Sequence, residues 1–405
     1  MIQSISAIFK KYPGYRALVA GGLISSAGTG LTQVAVYGEL ARMNAGPATF
    51  AIAFAVSVLP GLFSSQVAER FLRRIPPVKM LVLAEIMGAM LLVLPALGMM
   101  LKSPELLLAA QFSSSLIAGI AMPAGMGINS ILFKEKEELA SASALGTIAF
   151  SSQVLIGYGI GSLVYGKIPS HIYLLLDFAS YLAGAWLISR SQKSDTRLGE
   201  LLPIESASVS TPLNPLRARL GTLTPDQKRA FLLMPLLTCV GAPTVALLPS
   251  IGMDFGSSAV PLFLFAKTVG QLLGPMLMPP SRYETESKNS RQLILFLASF
   301  AALYLLVAST KPMLPIALGL ILMAHILSNR VYSLALFALP RYFPSDRIVR
   351  VAATQYQVQT SLMVILGASA GKAASILPIP HVIGGFSALA VGASLYLLGS
   401  LREHN

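Results

Sequence analysis

Charge is scarce in this sequence: only 12% of its 405 residues are Asp, Glu, Lys or Arg, while 54% are hydrophobic. Soluble domains carry about twice that charge fraction. Cysteine occurs once, at Cys239, which excludes an internal disulfide and any multi-cysteine metal site and leaves the redox compartment open. The four histidines, His171, His325, His381 and His404, are scattered. No Ser, His and Asp set gathers in a predicted pocket, so an enzyme has little support. No G-x-x-x-x-G-K-[ST] run occurs, which removes the usual phosphate cradle for ATP. No cofactor or metal is expected.

What the chain has instead is apolar length. Runs of about 20 residues, each enough to cross a hydrocarbon core roughly 30 Å thick, recur from end to end, with no sizeable soluble domain left over. The expected class is an all-α integral membrane protein with twelve transmembrane helices in two six-helix halves: 15–42, 46–68, 78–101, 104–132, 139–166, 168–190, 230–251, 257–279, 292–310, 313–340, 351–376 and 381–401. The opening "MIQSISAIFKKYPGYR" is too short and polar for a signal peptide, so the first helix is expected to be retained.

The net charge of +13 and pI near 9.9 do not call for a nucleic-acid partner, because the basic residues sit in short loops rather than in one stripe. Of the 30 Lys and Arg, 23 fall on one set of alternate loops. The opposite loops hold only Arg42, Lys102, Lys167 and Lys311. The positive-inside rule then places both termini in the cytoplasm, and Lys267, Arg330 and Lys372 remain inside spans.

The polar stretch 190–229 divides six spans from six. The expected organisation is an N-terminal bundle over 1–190, a cytoplasmic linker over 191–229 and a C-terminal bundle over 230–405. The halves echo each other: "LFKEKEELASASALGTIAFSSQV" joins spans four and five, and "YFPSDRIVRVAATQYQVQTSL" joins spans ten and eleven. Weak repeats of this kind mark transporter folds, whose binding site lies between the halves near the midplane.

Three loop motifs carry a family likeness. In "GLFSSQVAERFLRRIPPVKML", an acid is followed by four cations, and Glu69 and Arg70 can act as a latch at a helix end. The stretch resembles the loop motif of the major facilitator superfamily, with Ser64 and Ser65 at the usual glycines and Glu69 in place of Asp. "EELASASAL" (Glu137 to Leu145) and "PSDRIVRV" (Pro344 to Val351, keeping Arg350) look like the connecting motifs of its drug and siderophore exporter branch, which includes enterobactin exporters. The start, "YPGYRALVAGGLISSAGTGLTQVAV", is also similar. In span five the exporters' Gly-Pro-x-x-Gly-Gly element is replaced by "GYGIGSLVYG", with Tyr158 at the proline and Ser162 at the last glycine. Gly157, Gly161 and Gly166 still permit close helix contact.

The resemblance implies that spans 1, 4, 7 and 10 line a central cavity, that spans 2, 5, 8 and 11 flank it and that the rest are peripheral. An ionisable group at mid-bilayer costs roughly 3 kcal/mol or more, so it faces water or a partner. Ser26, Thr29, Gln33 and Tyr37 share a face of span 1, either as cavity wall or as interhelical hydrogen-bonders. Glu39 is read as an interface or rim group. On span 10, Asn329 lies about 40° from His325 and Tyr332 about 20° on its other side, whereas Arg330 is about 140° away. Arg330 reaches either a flanking carboxylate or an anionic ligand. His325 is the candidate proton-coupling group, with a histidine held between helices as the alternative. Lys267 on span 8 requires a carboxylate or an anionic substrate. Asp177 and Glu85, on peripheral helices, are expected to be structurally paired. Gln111, Gln153, Gln355 and Gln359 add uncharged binding capacity.

The substrate-contacting set is therefore Gln33, Tyr37, Gln111, Gln153, Lys267, His325, Asn329, Arg330, Gln355 and Gln359, with Glu69, Arg70 and Arg350 as gating groups. Together with the resemblance, these residues imply a proton-coupled secondary transporter working by alternating access as a monomer in membrane lipid. Its expected activity is export of a siderophore or similar small anionic, amphiphilic compound across the bacterial inner membrane. Uptake of a ferric siderophore, or transport of a drug or lysolipid, is the alternative; a membrane receptor or enzyme is the rival from other classes.

Overall fold

In lipid, backbone N–H and C=O groups must find partners within helices or a closed barrel. In the computed structural model, which describes residues 2–43, 56–201, 203, 222–256 and 259–401, the chain is helical apart from turns and short connections, and no strand occurs among those residues. In chain order the helices are α1 (Ile2–Lys11), α2 (Pro13–Arg42), α3 (Gly61–Leu72), α4 (Pro77–Leu91), α5 (Val93–Leu101), α6 (Pro104–Leu132), α7 (Lys136–Ser152), α8 (Gly161–Val164), α9 (Ser170–Ser194) and α10 (Thr196–Gly199). They continue as α11 (Pro225–Met253), α12 (Ala259–Met276), α13 (Tyr283–Lys288), α14 (Ser290–Thr310), α15 (Leu314–Tyr342), α16 (Ser345–Ala374) and α17 (Ile379–Gly399).

Eight helical stretches are long and apolar enough to cross a membrane, and Leu262–Met276 with Pro280–Lys288, bent by 81°, forms a ninth candidate. These correspond to expected spans 1, 3, 4, 6, 7, 8, 9, 10 and 12. Span 2 falls partly outside the described residues. Span 5 is α7 continued through a π-helical segment, Gln153–Ile160, and then α8. Span 11 is α16, a continuous helix of 30 residues, but "RIVRVAATQYQVQTSL" makes it too polar to register as a span by composition. The linker residues 204–221 lie outside the described ones.

Contacts divide the chain into two compact units. One comprises Ile5–Ile128 and Ile148–Ile204; the other comprises Met1–Ser4, Asn129–Thr147 and Glu205–Asn405. In the first unit, α9 packs most extensively on α2 and also on α4, while α2 meets the π-helical segment. Small residues set these distances: a Cβ on Gly157 would lie 2.2 Å from the Gly30 Cα, so two backbones meet where no side chain fits. Gly166, at φ +82°, turns the chain after α8 in a conformation that L side chains rarely adopt.

In the second unit, α12 packs on α15, α11 on α16, and α14 on both α15 and α17. The α12–α15 approach runs over Gly270 and Gly274, where an added Cβ would lie 2.3 Å from the Leu322 carbonyl and 2.8 Å from that of Ile326. α11 opens with a capping box: the Thr224 hydroxyl accepts from the Gln227 N–H at 3.3 Å, and the Thr224 N–H donates back to Gln227 Oε1 at 3.1 Å. The segment Asn129–Thr147, from the first half of the sequence, belongs to this unit, and Thr147 Oγ1 lies 2.8 Å from Ser333 Oγ on α15.

Candidate functional site

The polar face of α15 is turned into its own unit. His325 is 2% exposed and lies between α14 and α15. Its Nε2 is 2.6 Å from the Tyr304 hydroxyl, and the Phe300 ring meets it edge-on at 5.4 Å. Its carbonyl accepts from Ser328 Oγ and Asn329 Nδ2, both at 3.2 Å. His325, Ser328 and Asn329 thus satisfy one another, with Tyr304, in a buried network, which is how polar groups are tolerated away from water.

Arg330 leaves that face, as its angle on the helix requires. One terminal nitrogen donates to both oxygens of Glu286, at 3.1 and 3.2 Å, and the guanidinium lies 4.9 Å from the Phe296 ring centroid. Glu286, only 5% exposed, is on the short helix α13 between spans 8 and 9. Arg330 therefore has the flanking carboxylate that was one of its two expected partners. Its Nε remains buried without an acceptor.

Lys267 differs. It is partly buried on α12, one turn before Gly270. Among the described residues no carboxylate pairs with it. Lys372, the other in-span lysine, is exposed in the last turn of α16.

Gln355, fully buried, donates from Nε2 to the carbonyls of Ala230 and Phe231 at 3.1 and 2.8 Å, tying α16 to α11. Those carbonyls belong to a helix with prolines at 235, 243 and 249, each of which removes an intrahelical donor. Gln359, one turn on, has a buried Oε1 with no donor.

In the first unit, Gln33, Gln111, Thr29, Thr32, Asp177 and Tyr181 line a cavity of about 20 Å³. Tyr37 packs beside Leu40, Leu107 and Ala110. The side chain of Gln153 lies outside the described ones. Asp177 and Glu85 find hydroxyl donors rather than cations: Thr32 Oγ1 donates to Asp177 Oδ2 at 2.6 Å and Ser25 Oγ to Glu85 Oε1 at 3.0 Å. Glu39 joins α2 to its neighbours, accepting from Arg42 at 2.8 Å and from Ser170 and Tyr165.

Of the residues expected to gate, Glu69 pairs with Arg73, which caps the C-terminal end of α3, at 2.9 Å, and Arg70 is exposed. Arg350 is partly buried near the start of α16. A denser charge cluster, missed in the sequence, surrounds Glu284 on α13: Lys136 at 3.0 Å, Lys288 at 3.5 Å and Arg341 at 3.6 Å. The Lys136 ammonium, with the neighbouring cations, holds the Glu284 carboxyl below the usual carboxylate range. Tyr304 and Glu286 were also missed, because each lies on a different helix from its partner. The small-x-x-x-small pattern Gly270 to Gly274 was the available signal for the α12–α15 contact.

Residues 18–368 match the family described as Major Facilitator Superfamily. No curated protein sequence matches the chain. Among solved structures, a bacterial homologue of the iron transporter ferroportin in an outward-facing state aligns with TM-score 0.69 and 14% identity, covering 95% of this chain and 98% of that one. The human organic anion transporter MFSD10 (TETRAN) aligns with TM-score 0.68 and 14% identity over 95% and 99% of the two chains. The E. coli fucose:proton symporter FucP aligns with TM-score 0.63 and 12% identity over 96% and 98%. At these identities the likeness is one of fold.

Proposed function

Because the chain belongs to the Major Facilitator Superfamily, we propose that it is a proton-coupled secondary transporter that exports a siderophore or similar small anionic, amphiphilic compound across a bacterial inner membrane. It works by alternating access, as a monomer with both termini in the cytoplasm, and Glu69, Arg70 and Arg350 belong to its cytoplasmic gate. Lys267 carries the anionic part of this reading. Of the three cations within spans, Arg330 is neutralised by Glu286, Lys372 is exposed at a helix end, and Lys267 is partly buried with no carboxylate paired to it among the described residues. An ammonium in that position is stabilised by water or by an anionic ligand. Gln359, whose Oε1 lacks a donor, offers an uncharged contact in the same unit.

Transport into inverted vesicles, with and without a pH gradient and a protonophore, tests the cycle and its direction. Uptake by inverted vesicles that collapses with the gradient supports export; uptake only by right-side-out vesicles means import. Lys267→Met should lower movement of an anionic substrate about tenfold, as expected for loss of one charge-assisted contact, and spare a cationic one. Equal loss of both would assign Lys267 a structural role.

A further inference from the structure

The first unit holds two carboxylates at membrane depth with no cation facing either among the described residues. Asp177, on α9, is 1% exposed. Thr32 Oγ1 from α2 donates to its Oδ2 at 2.6 Å, and Ser180 Oγ lies 3.1 Å from its Oδ1. Glu85, on α4, takes one hydroxyl from Ser25 at 3.0 Å, and its Oε2 is buried without a donor. The titratable neighbour from the packed elements is Tyr181, whose hydroxyl is occupied by Thr29 Oγ1 at 3.0 Å; α2 and α6 present only hydroxyls and amides here. An independent observation points to a ligand. Gln111 on α6 is 2% exposed, its Oε1 has no partner, and it lines with Asp177 the cavity of about 20 Å³, room for one water.

A buried carboxylate without a counter-ion costs several kcal/mol as an anion, whereas its neutral acid does not carry that charge penalty. Thr32 donates to one Asp177 oxygen, Ser180 Oγ lies beside the other while its O–H donates to the Asp177 backbone carbonyl at 2.7 Å, and the cavity is water-sized, so a metal ion with five or six oxygen ligands has no room. A proton fits: it rests on a carboxyl oxygen of Asp177, beside the cavity that Gln111 also lines. We propose that Asp177 and Glu85, with Gln111 and the hydroxyls of Thr32 and Ser25, form a proton-binding site inside the N-terminal helices, built from residues other than His325. The binding claim is independent of the transport reading; its use in coupling rests on that reading.

Infrared difference spectroscopy of the purified full-length protein, titrated from about pH 5 to about pH 9, where buried carboxyls can titrate, tests binding directly. A carboxylic-acid C=O band present at neutral pH and lost on alkalinisation is expected. Asp177→Asn and Glu85→Gln each remove part of it, and together all of it. Thr32→Val removes only a donor and shifts the band to higher frequency, which serves if Asp177→Asn fails to fold. Absence of the band at neutral pH, its survival in the double variant, or its loss on adding sodium at constant pH would overturn the site. If the band behaves as expected but Asp177→Asn keeps the full pH-gradient dependence of transport, proton binding stands and coupling through it falls. A wild-type chain that moves no substrate would instead remove the transport reading.

Discussion

Arg330 Nη2 lies 3.1 Å from Glu286 Oε1, joining a transmembrane helix to the short helix between spans 8 and 9. The pair is 21% and 5% exposed, so neither group has bulk water to fall back on if the other is removed.

Arg330→Met should therefore lower stability by on the order of 3 kcal/mol through the stranded Glu286 carboxylate, and Glu286→Gln should do the same through the stranded guanidinium. Arg330→Met with Glu286→Met should recover most of the loss. Thermal unfolding of the detergent-solubilised protein checks this, and additive losses in the double variant would mean the two do not depend on each other.

The Tyr304–His325 bond predicts that His325 acts as a histidine held between helices, one of its two expected roles. His325→Ala should cost about 2–4 kcal/mol, combining an unsatisfied Tyr304 hydroxyl with a cavity beside Phe300. Tyr304→Phe should cost about 1 kcal/mol. Both variants should keep the pH-gradient dependence of whatever transport remains. Loss of that dependence in His325→Ala, at normal yield, would restore His325 as the coupling group.

Gly270 sits where a Cβ would meet the Leu322 carbonyl at 2.3 Å and His325 Cβ at 2.8 Å. Gly270→Val should separate α12 from α15 and cost about 3 kcal/mol or more, since backbone cannot yield as a side-chain tip can. Gly319→Ala, with open space around it, should be nearly neutral, and melting temperatures compare the two.

Glu284 predicts a pH effect outside the spans. Its carboxyl is held low by Lys136 first and by Arg341 and Lys288, so it contributes stability above the ordinary carboxylate value and loses it as pH falls through the lowered one. The contacts are partly exposed, and the contribution should be about 1 kcal/mol. Glu284→Gln should flatten that acidic limb of the unfolding midpoint and leave neutral pH values within about 1 kcal/mol of wild type. An unchanged limb would show that the cluster contributes nothing measurable.

Legibility in the sequence followed the range of the interaction. Whether a stretch enters a membrane depends on the sum of its own side chains, and eight of the expected spans meet that test of length and composition among the described residues. Span 11 escapes it because Gln355, Gln357 and Gln359 make α16 polar, yet its helix is continuous. The angular argument on α15 was also local, and it separated Arg330 from His325 and Asn329 correctly. It could not say what each angle faced. On α15, His325 meets Tyr304 and Phe300, and on α2, Thr29 meets Tyr181, each a partner from another helix.

Composition and periodicity alone determined an all-helical membrane chain, because hydrophobic transfer and helical geometry act residue by residue. Only the tertiary structure decided which ionisable groups have partners. Arg330 meets Glu286 across 44 positions, Glu85 meets Ser25 across 60, and Asp177 meets Thr32 across 145. Helical periodicity repeats within a few residues, so no reading along one helix registers a partner delivered by another; that depends on which helices pack, and glycines such as Gly30, Gly157 and Gly270 set how closely.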